Sequence, residues 1–219
     1  MSGPLGQPSQ GDEPLIGVLA RARDVGFLGP GPLDAHLDQA RRALSLVECP
    51  AGRCLDLGSG GGVPGLPLAW WCPESTWVLL ESQQNRADRL RLSIGALGID
   101  DRVSVDARRA EVAGRDPALR AAFDLVVARS FGPPAVTVEC GAPFVRPGGL
   151  LIVAEPPDPD ESRWPHDPLA LLGIIDEGTH SGCRRLRLGV PFQDRYPRAV
   201  GRPARAPLFG GPDDPERST

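Results

Sequence analysis

Between Arg53 and Leu68 the chain reads R-C-L-D-L-G-S-G-G-G-V-P-G-L-P-L. Asp56 is followed by Gly58, Ser59, Gly60, Gly61 and Gly62, so a carboxylate stands beside backbone that carries almost no side chains. Glycines permit positive φ and let a ligand approach the main chain. The acid suits a positively charged ligand group. Two ligand chemistries are open at this point. Gly60-x-Gly62-x-x-Gly65 has the spacing of a dinucleotide loop, with Glu81 about 20 residues on as the ribose-binding acid. Asp56-x-Gly58-x-Gly60 instead puts an acid on the strand before the glycines, where no pyrophosphate has to be cradled. Further candidates lie after later apolar runs. Glu81 ends Thr76–Leu80, and its carboxylate can accept from both ribose hydroxyls. Asp106, Arg108, Arg109, Ala110 and Glu111 follow the third run, where an adenine ring would lie across backbone and a small side chain. Arg129 follows the fourth, in A-R-S-F-G, facing cofactor or substrate at the open edge of the cleft.

The elements that must position these residues alternate along the chain. Leu15, Ile16, Leu19 and Ala20 recur at helical spacing and end near Gly26, and Asp34 to Val47 is a second helix with Asp34 as its N-cap. Cys54–Leu57 reads as a strand, with Pro64 in the first turn of the helix that follows. Thr76–Leu80, Arg102–Asp106, Phe123–Ala128 and Leu150–Ala154 read as strands. Arg86–Leu97, Ala118–Ala122 and Val136–Val145 read as helices, and Cys183–Val190 as an edge strand. This order predicts an α/β fold, a parallel sheet with helices on both faces. Residues 1–13 are expected to be disordered and residues 14–208 to form one domain. That domain opens with a helical cap (14–48) and closes with a basic segment (183–208), and 209–219 reads as a frayed tail.

Composition narrows the function classes. The 219-residue chain has a formal net charge of −4 and contains no lysine, so it is not a generic nucleic-acid coat. Its five cysteines form no C-x-x-C pair, which points away from a metal site or a disulfide framework and toward a reducing, cytoplasmic setting. No run of about 18 apolar residues is present to cross a membrane. The chain is expected to act as a monomer without metal. Charge is uneven: Glu155–Glu177 carries seven acids against Arg163, and Arg184–Arg205 carries seven arginines against Asp194. His36, His166 and His180 form no cluster and read as structural or solvated.

The D-x-G-x-G loop resembles the cofactor loop of class I S-adenosylmethionine (SAM) methyltransferases. Four ordered blocks sharpen that likeness: D-L-G-S-G-G-G-V-P-G-L-P-L-A, L-L-E-S-Q-Q-N-R-A-D-R-L, F-D-L-V-V-A-R-S-F and R-Y-P-R-A-V-G-R-P-A-R-A-P-L. Together they resemble the RsmG (GidB) family, the small-subunit rRNA guanine-N7 methyltransferases. The resemblance implies a Rossmann-like, doubly wound, mostly parallel seven-stranded sheet with the last strand antiparallel. It implies SAM contacts at Gly58 and Val63, Glu81, Arg109 and Ala110, and Arg129. With Asp56, Ser59, Gly60 and Gly62 of the loop, these are the expected cofactor residues. It also implies 16S rRNA, or the small ribosomal subunit, as partner, with Arg195, Arg198, Arg202 and Arg205 holding phosphates; arginine clusters neutralise phosphate and release counterions. No residue is singled out as catalytic. A ring nitrogen carrying no proton needs no general base, which fits a site with glycines, an acid and an arginine. The family's lysine after the fifth strand is replaced around Ala154-Glu155, and the acidic 155–177 segment is expected to repel RNA.

Overall fold

A computed structural model describes residues 11–47 and 51–210. Seven strands form one sheet in the order β3-β2-β1-β4-β5-β7-β6. They are β1 (Arg53–Leu57), β2 (Thr76–Leu80), β3 (Val103–Asp106), β4 (Phe123–Ala128), β5 (Val145–Ala154), β6 (Ile174–His180) and β7 (Cys183–Leu188). β1 to β5 are mutually parallel, and β7 runs antiparallel to both β5 and β6. Strand order reverses between β1 and β4, so a crevice opens beyond their carboxyl ends.

The central strands are apolar on successive residues because both faces of the sheet are covered. Leu55 and Leu57, with Val78, Leu80, Val126 and Ala128, join one core. That core is completed by helix α6 (Pro134–Gly141). Cys54, Leu79, Leu125 and Val127 join the other, beneath α1 (Glu13–Asp24), α2 (Leu33–Leu44), α3 (Gly65–Trp71) and α4 (Gln84–Leu97). The α1–α2 connection also reaches the crevice: a Cβ on Gly61 would stand 2.7 Å from the Phe27 carbonyl oxygen.

Several expectations change. α1 starts at Glu13, and Asp12 is buried, accepting from Trp71 Nε1 at 3.0 Å. Residues 11–13 of the stretch read as disordered are therefore placed in the fold; residues 1–10 lie outside the described residues. Helix α2 starts at Leu33 with Pro32 in the cap position, so Asp34 sits in the first turn instead. No helix forms over Ala118–Ala122; the short α5 is Ala110–Ala113. The Asp116 carboxylate accepts from Ala118 N at 2.9 Å, and this local bond favours a turn. Helix α6 stops at Gly141 and β5 already begins at Val145, with Pro147-Gly148-Gly149 inside the strand.

β7 is interior, flanked by β5 and by β6, which the sequence reading passed over. Two further short helices, α7 (His166–Leu171) and α8 (Arg202–Arg205), lie in the carboxyl-terminal part. Phe209, assigned to the frayed tail, is buried; residues 211–219 and Glu48 lie outside the described residues. Cys72 is disulfide-bonded, against the expectation of free thiols, while Cys54, Cys140 and Cys183 are free and buried. Among the described residues no helix is long and apolar enough to cross a membrane, and no group of three metal-ligating side chains occurs.

Candidate active site

The turn after β1 is held by its backbone amides, which donate to the end of β2, to the turn itself and to two buried carboxylates. Gly58 N and Ser59 N donate to Leu80 O at 2.9 and 3.0 Å, and Gly62 N donates to Ser59 O at 2.7 Å. Gly60 N donates to Glu81 Oε2 at 2.9 Å, and Gly65 N to Asp56 Oδ2 at 3.0 Å. Every fingerprint glycine of the dinucleotide alternative has therefore committed its amide. The Asp56 carboxylate also occupies the amino end of α3, where a pyrophosphate would have to sit. This chemistry disfavours a nicotinamide dinucleotide.

Glu81 is buried, and its second oxygen accepts from Gln83 N at 2.8 Å. It thus ties the glycine turn to the chain leaving β2, and each oxygen keeps a lone pair for a further donor. Gly58 has φ +72°, and a Cβ there would stand 2.7 Å from the Phe131 ring. Only glycine satisfies both the turn and that close approach.

Glu81 and Gly58 face a cavity of about 390 Å³, with Arg109, Ala110, Phe131 and Val136 among its walls. A second cavity of about 500 Å³ adjoins it through Ser130, Phe131 and Gly132. Arg129, Thr137, Glu155, Pro157 and Trp164 line the second space. Both volumes are in the range of small-molecule sites. Of the expected cofactor residues, the structure brings Gly58, Glu81, Arg109 and Ala110 to the first cavity and Arg129 to the second. Gly60 and Ser59 stand behind Glu81 and Asp56 as backbone supports; the Ser59 hydroxyl donates to Asp56 O at 3.0 Å. Gly62 and Val63 line neither cavity, and Val63 packs into the core beneath the cap helices.

Asp56 also lines neither cavity. Its Oδ1 is buried and has no partner among the described residues. Burial, against the opposing pull of Gly65 N and Arg129, pushes its carboxyl up to about 7. Arg129 Nη1 is likewise buried without a partner, while Nη2 donates to His36 Nδ1 at 2.8 Å. Burial lowers the arginine's proton affinity and Asp56 restores part of it. Beyond β3 the Arg108 guanidinium holds the Asp106 carboxyl below its usual range, and Arg109 pairs with Glu111 at 3.1 Å.

The carboxyl-terminal arginines divide into two groups. Arg198 is not a free phosphate ligand: it makes a bidentate pair with Glu139 of α6 (2.8 and 2.6 Å) and donates to Ala206 O. Glu139 is fully buried, so its charge requires that partner. Arg195, Arg202 and Arg205 are exposed and make no ion pair among the described residues. The acidic 155–177 segment is not a bare repulsive field either. Glu155 pairs with Arg163 at 2.8 Å, Glu161 and Asp176 pair with Arg184, and Glu177 takes both Arg185 and Arg187. Across the β6–β7 hairpin Asp176 and Glu177 offset Arg184, Arg185 and Arg187.

Phe131, Val136 and Ala204 of the first cavity were not anticipated. Phe131 had a signal, an aromatic between a buried strand and a Gly-Pro-Pro turn. Ala204 had none, since the long-range bond from Gly201 N to Glu111 Oε1 at 2.9 Å brings α8 there.

Comparison with known proteins agrees with this arrangement. Among solved structures, cofactor-bound Rv0187 from MTB aligns with a TM-score of 0.57 at 20% identity, covering 84% of this chain and 100% of that one. A Klebsiella pneumoniae structure aligns with a TM-score of 0.55 at 19% identity, covering 80% and 88%. Likeness at that identity establishes the class I methyltransferase sheet order and nothing finer. By sequence, the chain is 34% identical over 213 residues to "Ribosomal RNA small subunit methyltransferase G" of Rubrobacter xylanophilus, covering 90% of this chain and 81% of the relative. It is 38% identical over 183 residues to the protein of the same name from Roseiflexus castenholzii, covering 79% and 77%. The GidB profile, described as rRNA small subunit methyltransferase G, matches residues 33–161. On a family model that spans more than half of the chain and relatives at 34–38% identity over most of it, the chain belongs to the GidB family, rRNA small subunit methyltransferase G.

Proposed function

We propose that this chain methylates the N7 nitrogen of a guanine in 16S rRNA, with SAM as the methyl donor. The observation that carries the reading is the pair of adjacent cavities that share Ser130–Gly132 as a wall, one lined by Glu81 and the other by Arg129. The residues present fit SAM: Gly58 clears the wall beside Phe131, and Glu81 has lone pairs for ribose hydroxyls. Arg129 lines the second cavity, and its Nη1, without a partner among the described residues, suits the carboxylate of a zwitterionic amino-acid end, with the buried Asp56 charge behind it. Bound SAM supplies a methyl carbon made electrophilic by a sulfonium. The chain's own task is then to position and to exclude water. Ala110 offers a small side chain beside which an adenine can lie, and the second cavity, walled by Trp164 and Pro157, accommodates an acceptor base. Guanine N7 carries a lone pair and no proton, so transfer to it needs no general base from the lining residues. Arg195, Arg202 and Arg205 are exposed, make no ion pair among the described residues and are offered to phosphate.

The test is incubation with labelled SAM and small subunits from a strain lacking the modification, followed by mass-spectrometric mapping. Label at guanine N7 in 16S rRNA is expected; no transfer, or transfer only to another atom, would reject the reading. In the same system, replacing Arg195, Arg202 and Arg205 by alanine should lower the slope of log K against log salt by about 2 to 3. An unchanged slope would show that RNA contacts lie elsewhere.

A further inference from the structure

Arg129 directly follows β4, but the side chain that orients it comes from the amino-terminal helices. His36, on α2, is buried and lies 93 positions away in sequence. Its Nε2–H donates to Gly29 O at 3.1 Å, which places the ring proton on Nε2 and leaves Nδ1 as an acceptor. Arg129 Nη2 donates to that Nδ1 at 2.8 Å. Between them the two bonds fix the ring at one end to the α1–α2 connection and at the other to the guanidinium. The remaining amino group, Nη1, stays buried without a partner among the described residues.

The charged groups facing the imidazole are Arg129 from the end of β4 and Arg23 from α1, both positive; Asp56 of β1 acts on the far side, through Arg129. Burial, then Arg129 and Arg23, lower the ring's proton affinity against the pull of the Gly29 carbonyl. At neutral pH the ring is therefore the neutral acceptor that the guanidinium needs.

We propose that His36 is a positioning residue for SAM: its Nδ1 holds Arg129 beside Asp56, making the amino-terminal helices part of the cofactor site. This rests on the reading of Arg129 as a SAM contact. A protonated His36 cannot accept, and it adds a third positive charge beside Arg129 and Arg23. SAM affinity should therefore fall as pH drops through the His36 pKa, which lies below its ordinary 6.5.

The test measures SAM and S-adenosylhomocysteine affinity by calorimetry from pH 5 to pH 8 for the wild type, H36N and H36L, with melting temperatures alongside. Asparagine can offer its Oδ1 where Nδ1 stood but does not titrate. H36N should bind within about threefold of wild type at pH 7.5 and lose the part of the acid-side decline that belongs to His36. H36L should bind about tenfold or more weakly at every pH, the loss expected for a hydrogen bond to a charged group. Asp56 titrates in an overlapping window, so the difference between wild type and H36N is the diagnostic quantity. Wild-type affinity in H36L, or an H36N profile that superimposes on the wild type, overturns the proposal. Should H36L fail to fold, the H36N profile decides alone. A wild type that binds neither ligand at any pH overturns the SAM reading itself, which is a distinguishable result.

Discussion

Replacing Glu81 by alanine is expected to weaken SAM binding about 100-fold. Its two oxygens lie at the end of β2, where each already accepts one backbone N–H. Hydrogen bonds to a charged group contribute about 1.5–3 kcal/mol each. Losing two from ribose hydroxyls removes about 3 kcal/mol or more, and every 1.4 kcal/mol is about tenfold in Kd. The loop suffers as well, since Gly60 N and Gln83 N lose their acceptor and the turn after β1 is no longer tied to the chain beyond β2. Glu81→Gln should fall between wild type and alanine, because an amide keeps one oxygen acceptor. Calorimetric titration with S-adenosylhomocysteine measures both. A Kd for the alanine variant within threefold of wild type would remove Glu81 from the site.

Replacing Arg198 by alanine is expected to destabilise the fold, not to flatten the salt dependence of RNA binding. Glu139 has no solvent exposure, and its two oxygens share the Arg198 guanidinium. Breaking a buried pair by removing one partner costs about 3–5 kcal/mol, because the other charge stays behind unpaired. For a chain of this size each kcal/mol shifts the melting temperature by about 2–4 °C, so a drop of about 10 °C is expected. Glu139 also accepts from Arg198 N, and the same guanidinium donates to Ala206 O. The loss would therefore loosen the segment that carries Ala204 to the cofactor cavity. A double replacement of Glu139 and Arg198 by methionine should recover much of the stability. A melting temperature of the single variant within 2 °C of wild type would show that the pair contributes little.

The parts of this fold that are legible in the sequence are those whose cause is local. β1, β2, β4 and the latter part of β5 announce themselves as apolar runs, interrupted only by Asp56 in β1 and Asp124 in β4, since a parallel strand covered on both faces has no polar side. The glycine turn is legible because backbone that must bend and pack closely excludes side chains, and Glu81 because strand ends in such sheets face the crevice. β6 hides because I-I-D-E-G-T-H looks like a charged loop until Arg184, Arg185 and Arg187 of β7 pair with its acids. Those pairs also explain why adding up charge by segment misread both blocks as open fields. Arg198 was indistinguishable from Arg202 by residue type; a buried acid 59 positions away decides its role. Asp56 was correctly placed beside the glycines, but its carboxylate turns back to Gly65 N and away from the cavity. His36 offered no cluster to notice, because its partner is an arginine 93 positions away in sequence.

A crystal structure of the protein with S-adenosylhomocysteine bears most directly on the central claim. It should show both ribose hydroxyls within hydrogen-bond distance of the Glu81 carboxylate, the adenine beside Ala110, and the amino-acid end near Arg129. The product lodged outside the two cavities, or NAD filling them when the product does not, would contradict the account.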